Sequence, residues 1–387
     1  MRRPALFLAL SAAVCLSACS TISETANKLN PFSSSGPKPA ELKPIKASAE
    51  ARVNWKVSIG KAGDYVFAPA VVGDSVYVAA ADGSIARIEE SGAVAWRIKA
   101  GQPLSAGVGS DGKLVVVGTA KGDVLAFSAA DGKPLWQVKV SSEVLATPAV
   151  GDDGVAIKSG DNRVYLLDLK DGARKWFYQR ATPPLSLRSF AAPVFAERFV
   201  FVGFPGGKLL ALDLKNGAPI WEGTVALPKG ATELERVADI VTLPVIDGGQ
   251  VCAVAFQGRA ACFDLGQGGQ LIWARDFSST AGLTIDGRYV FASDDKGVVH
   301  ALDRASGGSV WKQGKLANRK VSGPVALRNL VAVGDLGGIV HMLRREDGDF
   351  AVRVPTDGTP IRTAPQLLGS RILVQTSGGT VAAIETR

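Results

Sequence analysis

Seven glycines and one asparagine recur along this chain at near-even intervals: Gly83, Gly122, Asn162, Gly207, Gly258, Gly297, Gly338 and Gly379. Each stands between two apolar runs, and an apolar residue such as Phe127, Leu167, Leu212 or Leu302 follows five positions later. A turn held at positive φ takes glycine, or failing that asparagine, because a Cβ clashes with the backbone there. Eight such turns, 39 to 51 residues apart, make eight copies of one hairpin-based unit.

A second column keeps the same register. Trp96, Trp136, Trp176, Trp221, Trp273 and Trp311 each stand four residues after a glycine: Gly92, Gly132, Gly172, Gly217, Gly269 and Gly307. Several of these turns read Asp-Gly or Asn-Gly, the dipeptides of tight hairpins. In the seventh copy Val352 takes the tryptophan slot, and the eighth stops at Arg387 before its last strand. The remaining tryptophan, Trp55, lies near the start of the folded region, so the eighth unit is split and its outer strand comes from the N-terminal end. Each copy reads as four short strands; in the second they are placed at 104–108, 113–119, 123–128 and 134–140. Four strands in about 40 residues are the mark of a propeller blade. The expected fold is all-β: one eight-bladed β-propeller of four-stranded antiparallel blades over 53–387, its last blade closed by the N-terminal strand. The repeated tryptophans are expected to be packing residues wedged between blades.

Pro69, Pro148, Pro193, Pro244, Pro324 and Pro365 form a third column. A proline cannot donate to a sheet ladder, so it suits the innermost strand of a blade, an edge facing the central channel. Asp168, Asp213, Asp264 and Asp303 share one repeat position just before a turn, where aspartate bonds to turn amides. The two histidines, His300 and His341, share a strand position in adjacent blades and read as strand residues before ligands. No Cys-x-x-Cys, HExxH, phosphate loop or G-x-S-x-G stands anywhere in the chain. Nothing in these columns calls for a catalytic group, a metal or a cofactor.

The first residues differ in kind. Arg2 and Arg3 precede the apolar stretch 5–14, which is too short to span a membrane, and Leu16-Ser17-Ala18-Cys19 follows. A basic start, a brief apolar segment and small residues make an export signal over 1–18. The tetrapeptide resembles a bacterial lipobox, which implies cleavage before Cys19 and acylation of its thiol and new amino terminus. Ser20 in place of an aspartate implies sorting to the outer membrane, facing the periplasm, and several acyl chains anchor firmly. Residues 19–52, rich in proline, serine and lysine, read as a lipidated flexible tether.

Two cysteines remain, Cys252 and Cys262, on the two strands of one hairpin turning at Gln257-Gly258. A two-residue loop would offset them to opposite faces; a three-residue loop would set them across from each other. The sequence leaves both open. Charge is uninformative: 44 basic residues, less Arg2 and Arg3, against 36 acidic ones leave about +6 with no basic stripe, so nucleic-acid binding has no support.

Function in a repeat protein is expected where the period is violated, because added residues are not needed for stacking. From the tryptophan slot to the next proline the chain takes 14 residues between Trp55 and Pro69, 12 between Trp136 and Pro148 and 13 between Trp311 and Pro324. It takes 17 between Trp176 and Pro193 and 23 between Trp221 and Pro244. The two long connections are consecutive and emerge side by side. The first carries Pro183-Pro184-Leu185-Ser186-Leu187-Arg188; the second carries Glu233, Glu235, Arg236 and Asp239. Leu185, Leu187 and Arg188 beside a charged loop suit a protein-docking patch.

Runs such as Leu209-Leu210-Ala211-Leu212-Asp213 with Asn216-Gly217 and Ile220-Trp221 resemble the repeat of quinoprotein dehydrogenases, whose sites use a vicinal cysteine pair and calcium-holding carboxylates. This chain has no adjacent cysteines, and fold does not carry function. Leader, lipobox, tether, eight such blades and Leu185-Ser186-Leu187-Arg188 together resemble the BamB family of outer-membrane assembly lipoproteins. That resemblance implies docking onto the periplasmic domains of the barrel-forming subunit BamA through Leu185, Leu187 and Arg188. It also implies a second contact loop over 235–241 with Glu235, Arg236 and Asp239. The family pattern has a further aspartate where this chain has Val241. The resemblance further implies other assembly lipoproteins in the same complex, and unfolded outer-membrane proteins as clients. A periplasmic quinoprotein oxidoreductase and a cell-wall polysaccharide-binding propeller are the alternatives.

Overall fold

Alternation in short runs closed by glycine turns should give strands, and strands are the regular elements found. The computed structural model describes residues 37–181 and 183–386, among which thirty-two strands form eight antiparallel four-stranded sheets. In blade 1 they are Ala70–Val72, Ser75–Ala79, Ser84–Glu89 and Val94–Lys99, in order from inside to outside. Blade 8 consists of Gln366–Leu368, Arg371–Gln375 and Thr380–Thr386, with Ala51–Ser58 paired outside them from Ala51 opposite Thr386 to Ser58 opposite Thr380. The inner strands of blades 1 and 8 touch, which closes the ring. The eight-bladed propeller with an N-terminal clasp is thus the fold observed.

The core lies between blades. Second and third strands are buried on both faces, as in Leu330–Gly334. The apolar clusters each draw on two neighbours: Ala156, Leu166 and Trp176 of blade 3 meet Val200, Leu210 and Leu212 of blade 4. The tryptophans make the same contact seven times. Each indole Nε1 donates to a backbone carbonyl in the next blade, from Trp55 to Glu90 at 2.8 Å through Trp176 to Leu214 at 2.8 Å and Trp311 to Arg345 at 2.8 Å. Each ring also covers the next blade's turn glycine; a Cβ on Gly92 would stand 2.6 Å from Trp55 Cγ. The glycine is therefore required twice, by its φ of +90° and by the ring lying on it. Val352 falls in the tryptophan slot because blade 8 has no turn there: its third and outer strands come from opposite ends of the chain. Ala49, Ala51 and Val53 pack into that junction instead.

Three expectations need correction. The column prolines stand immediately before the inner strands, at Pro69 before Ala70–Val72 and Pro148 before Ala149–Gly151, where no ladder amide is asked of them. In blade 2 the inner strand is Gly109–Ser110, whereas the run 104–108 is a buried connection whose Ala106 bridges to Val66. Apolar character there reflects burial, which periodicity alone cannot tell from a strand. Finally, the compact unit begins at Ala40, so the segment 40–52, expected in the tether, lies on the ring. Leu42 and Ile45 pack at the junction of blades 6 and 7, Ser48 N donates to Ala351 O at 2.9 Å, and Arg353 Nη1 donates to Lys43 O at 2.6 Å. Cys19 and the leader lie outside the described residues.

Cys252 and Cys262 face each other across their hairpin, Cα atoms 4.1 Å apart, and form a buried disulfide. The three-residue version of the loop is the one adopted, with Gln257 at φ 47°. The repeated aspartates hold turn amides, as with Asp168 to Lys170 N at 2.9 Å and Asp213 to Lys215 N at 2.8 Å. His300 and His341 pair through Nε2 with Asp294 and Asp335, each at 3.0 Å.

Candidate docking loops on blades 3 to 5

Both overlong connections join an outer strand to the next inner one, so they leave the same end of the ring. The first runs from the end of Arg174–Tyr178 to Val194–Ala196, the second from Pro219–Thr224 to Val245–Asp247. Arg180 anchors the first at its root: its guanidinium meets Glu222 of blade 4 at 3.1 Å, and Lys208 meets the other carboxylate oxygen at 3.0 Å. Beyond it, Pro183, Pro184, Leu185 and Arg188 are exposed and Leu187 is half-buried. Arg188 has no hydrogen bond or ion pair with any described residue, so its five donors are free for a partner.

The second loop is built on a local turn. Thr232 Oγ1 accepts from Glu235 N at 3.2 Å, while the Glu235 carboxylate accepts from Ala231 N at 2.8 Å and Thr232 N at 3.0 Å. This reciprocal arrangement is a capping box, written in the sequence as Thr232-Glu233-Leu234-Glu235. The bonds from the Thr232 and Ala231 amides hold the Glu235 carboxyl below the usual carboxylate range. Arg236, an exposed residue, donates to Gly230 O at 3.1 Å and meets Glu233 at 3.6 Å. Glu235 and Arg236, expected as partner contacts, shape the turn and stay exposed on it, and between Glu233 and Glu235 stands Leu234, 70% exposed. Leu227 and Leu243 are exposed in the same connection. Sequence reading passed over these leucines; the capping-box pattern was the available signal for Leu234.

Asp239 also has a different place from the one expected. It is 1% exposed and cannot meet a partner directly. Its Oδ2 accepts from Leu187 N at 2.7 Å and its Oδ1 from Gly206 N at 3.0 Å, so one carboxylate ties the two loops and the blade 4 hairpin together. Val241, where the family pattern has an acid, is buried. Beneath this knot lies Lys158, the last residue of Gly154–Lys158 in blade 3. Its Nζ donates to Gly203 O at 2.6 Å and to Ser189 Oγ at 3.3 Å. Burial pushes its ammonium down to about 7, against the opposing pull of Asp239.

The only charged residue on the eight inner strands is Asp247, which is engaged by Arg304 at 2.6 Å. Among the described residues no three His, Cys, Asp or Glu side chains gather as a metal site, and the two cysteines are bonded across a hairpin.

Comparison with known proteins accords with the eight-bladed fold. A family model described as outer membrane protein assembly factor BamB matches residues 81–313 and 295–387. An outer membrane protein assembly factor BamB of Bordetella pertussis is 42% identical over 97% of this chain and 95% of its own. The crystal structure of BamB from Moraxella catarrhalis superposes with a TM-score of 0.81 at 28% identity, covering 87% of this chain and all of that one. A quinohemoprotein alcohol dehydrogenase from Comamonas testosteroni shares the fold alone, with a TM-score of 0.69 at 14% identity over 86% of this chain and 76% of that one. By the extent and level of these matches, this chain belongs to the BamB family of outer-membrane-protein assembly factors.

Proposed function

We propose that this protein is a non-catalytic scaffold of outer-membrane-protein assembly, docking through its two long loops onto the periplasmic domains of BamA within a larger assembly complex. The observation that carries the reading is the Asp239 carboxylate, which binds two consecutive loops into one surface. On that surface Arg188 is unpaired among the described residues, and Leu185, Leu227, Leu234 and Leu243 are exposed. Apolar anchors ringed by charge, around an arginine with free donors, are what a stable protein contact uses. Acylation at Cys19 would hold the propeller at the periplasmic face of the outer membrane, so that docking takes place at the surface where barrels are inserted. Unfolded outer-membrane proteins are a further class of ligand that such a scaffold would present.

The test is co-purification from detergent-solubilised envelopes. Leu187→Asp with Arg188→Ala should abolish recovery of BamA and leave thermal unfolding near that of the wild type. Full recovery of BamA with the double variant would reject docking through this loop.

A further inference from the structure

We propose that Lys158 is a positioning residue for the docking loop: its buried ammonium holds Ser189 while Asp239 holds Leu187, so Arg188 between them is presented in one orientation. This rests on the docking reading above and adds to it a residue from outside both loops.

The repeat makes Lys158 stand out. Four residues before each hairpin turn the other seven blades carry Ala79, Gly118, Gly203, Val254, Ser293, Gly334 and Gln375, none of them charged. The position is a strand end sealed between blades, where stacking needs no cation and burying one is costly. Lys158 is 3% exposed. Its Nζ sits 5.3 Å from the Phe204 ring centroid, and it bonds to Gly203 O and Ser189 Oγ. Gly203 is itself crossed by the second loop, because a Cβ there would run into the side chain of Ile240. One ammonium therefore touches the backbone of blade 4 and the first loop, and is drawn electrostatically to Asp239 of the second. Leu187 and Ser189 flank Arg188 on either side. With both ends fixed from below, the guanidinium is aimed outward before a partner arrives, which lowers the ordering cost of binding.

The experiment is amide hydrogen exchange on the full chain without partner, comparing the wild type with Lys158→Met, which keeps most of the volume and removes the charge. The expected result is about tenfold faster exchange at Leu187, whose amide Asp239 holds, the size of a lost charge-assisted hydrogen bond, with the other blades unchanged. A merely structural lysine would instead alter exchange across blades 3 and 4 and lower the melting temperature. Should Lys158→Met fail to fold, Ser189→Ala, which removes the acceptor and keeps the lysine, carries the same test. Unchanged exchange at Leu187 in the variant that folds overturns the positioning role. Co-purification with the assembly complex separates the two readings. Faster exchange with weaker recovery supports both, whereas faster exchange with full recovery counts against docking through this loop and leaves the positioning role standing.

Discussion

The Oδ2 of Asp239 accepts a hydrogen bond from the amide of Leu187 at 2.7 Å, joining two connections 52 residues apart in sequence. With Oδ1 on Gly206 N, the carboxylate has a backbone donor on each oxygen. A group so placed shapes the proposed docking surface without being exposed on it.

Asp239→Ala should therefore weaken recovery of the assembly complex although the side chain is buried. It leaves two amides without an acceptor, a cost of about 1–3 kcal/mol each where they stay dry. A lower urea midpoint together with reduced co-purification is the expected pair of results. Undiminished co-purification would show that the loops hold their shape without the carboxylate.

Leu234 offers the opposite case. Its side chain stands clear of the fold, so Leu234→Asp should change stability by less than about 0.5 kcal/mol. Recovery of the complex should fall about tenfold if this leucine is a buried anchor in the contact. Equal recovery with and without the substitution would remove the second loop from the interface.

The pH dependence of stability follows from Lys158, whose pKa drops from 10.5 to about 7 on folding, mainly through burial. Below pH 7 both states carry the proton and the full cost of burying the charge is present. Between pH 7 and 10.5 the unfolded chain binds a proton that the folded one has lost, so stability rises with pH. The slope is at most about 1.4 kcal/mol per pH unit. Urea midpoints of the wild type and Lys158→Met should converge as pH climbs through this range. Parallel curves would mean the lysine keeps its ordinary pKa in the fold.

Blade junctions should differ in their sensitivity. Trp311→Ala removes an indole that covers Gly348 and bonds to Arg345 O, a loss of about 3–5 kcal/mol. Val352→Ala, at the junction without a glycine turn, removes two methyl groups and should cost about 1.5 kcal/mol in transfer terms alone. Thermal unfolding of the two variants gives the comparison, and equal losses would contradict the packing described for the seven tryptophans.

The blades were readable because their chemistry is local and repeated. A turn at positive φ admits few residues, and a ring lying on that turn admits only glycine, so the two columns together expose period, strand count and the split eighth unit. The prolines were read one step too far into the strand, since a strand's first residue is settled by which amides find ladder partners. The run 104–108 was misread because burial makes a connection as apolar as a strand.

The loops were legible only as places. Their excess length and their leucines and arginine marked out one end of the ring. Which side chains are accessible there depends on paths that no periodicity dictates: Glu235 and Arg236 bond to their own turn while staying exposed, Asp239 goes under, and Leu234 comes out. Lys158 gave no signal beyond one charge in a neutral column. The disulfide likewise waited on whether the hairpin closed with two residues or three. Sequence alone settled what short-range sterics and repetition can settle, namely the fold and its family. The tertiary structure decided the rest, because the roles of Asp239 and Lys158 come from bonds between segments tens of residues apart, which meet only once blades 3, 4 and 5 have stacked.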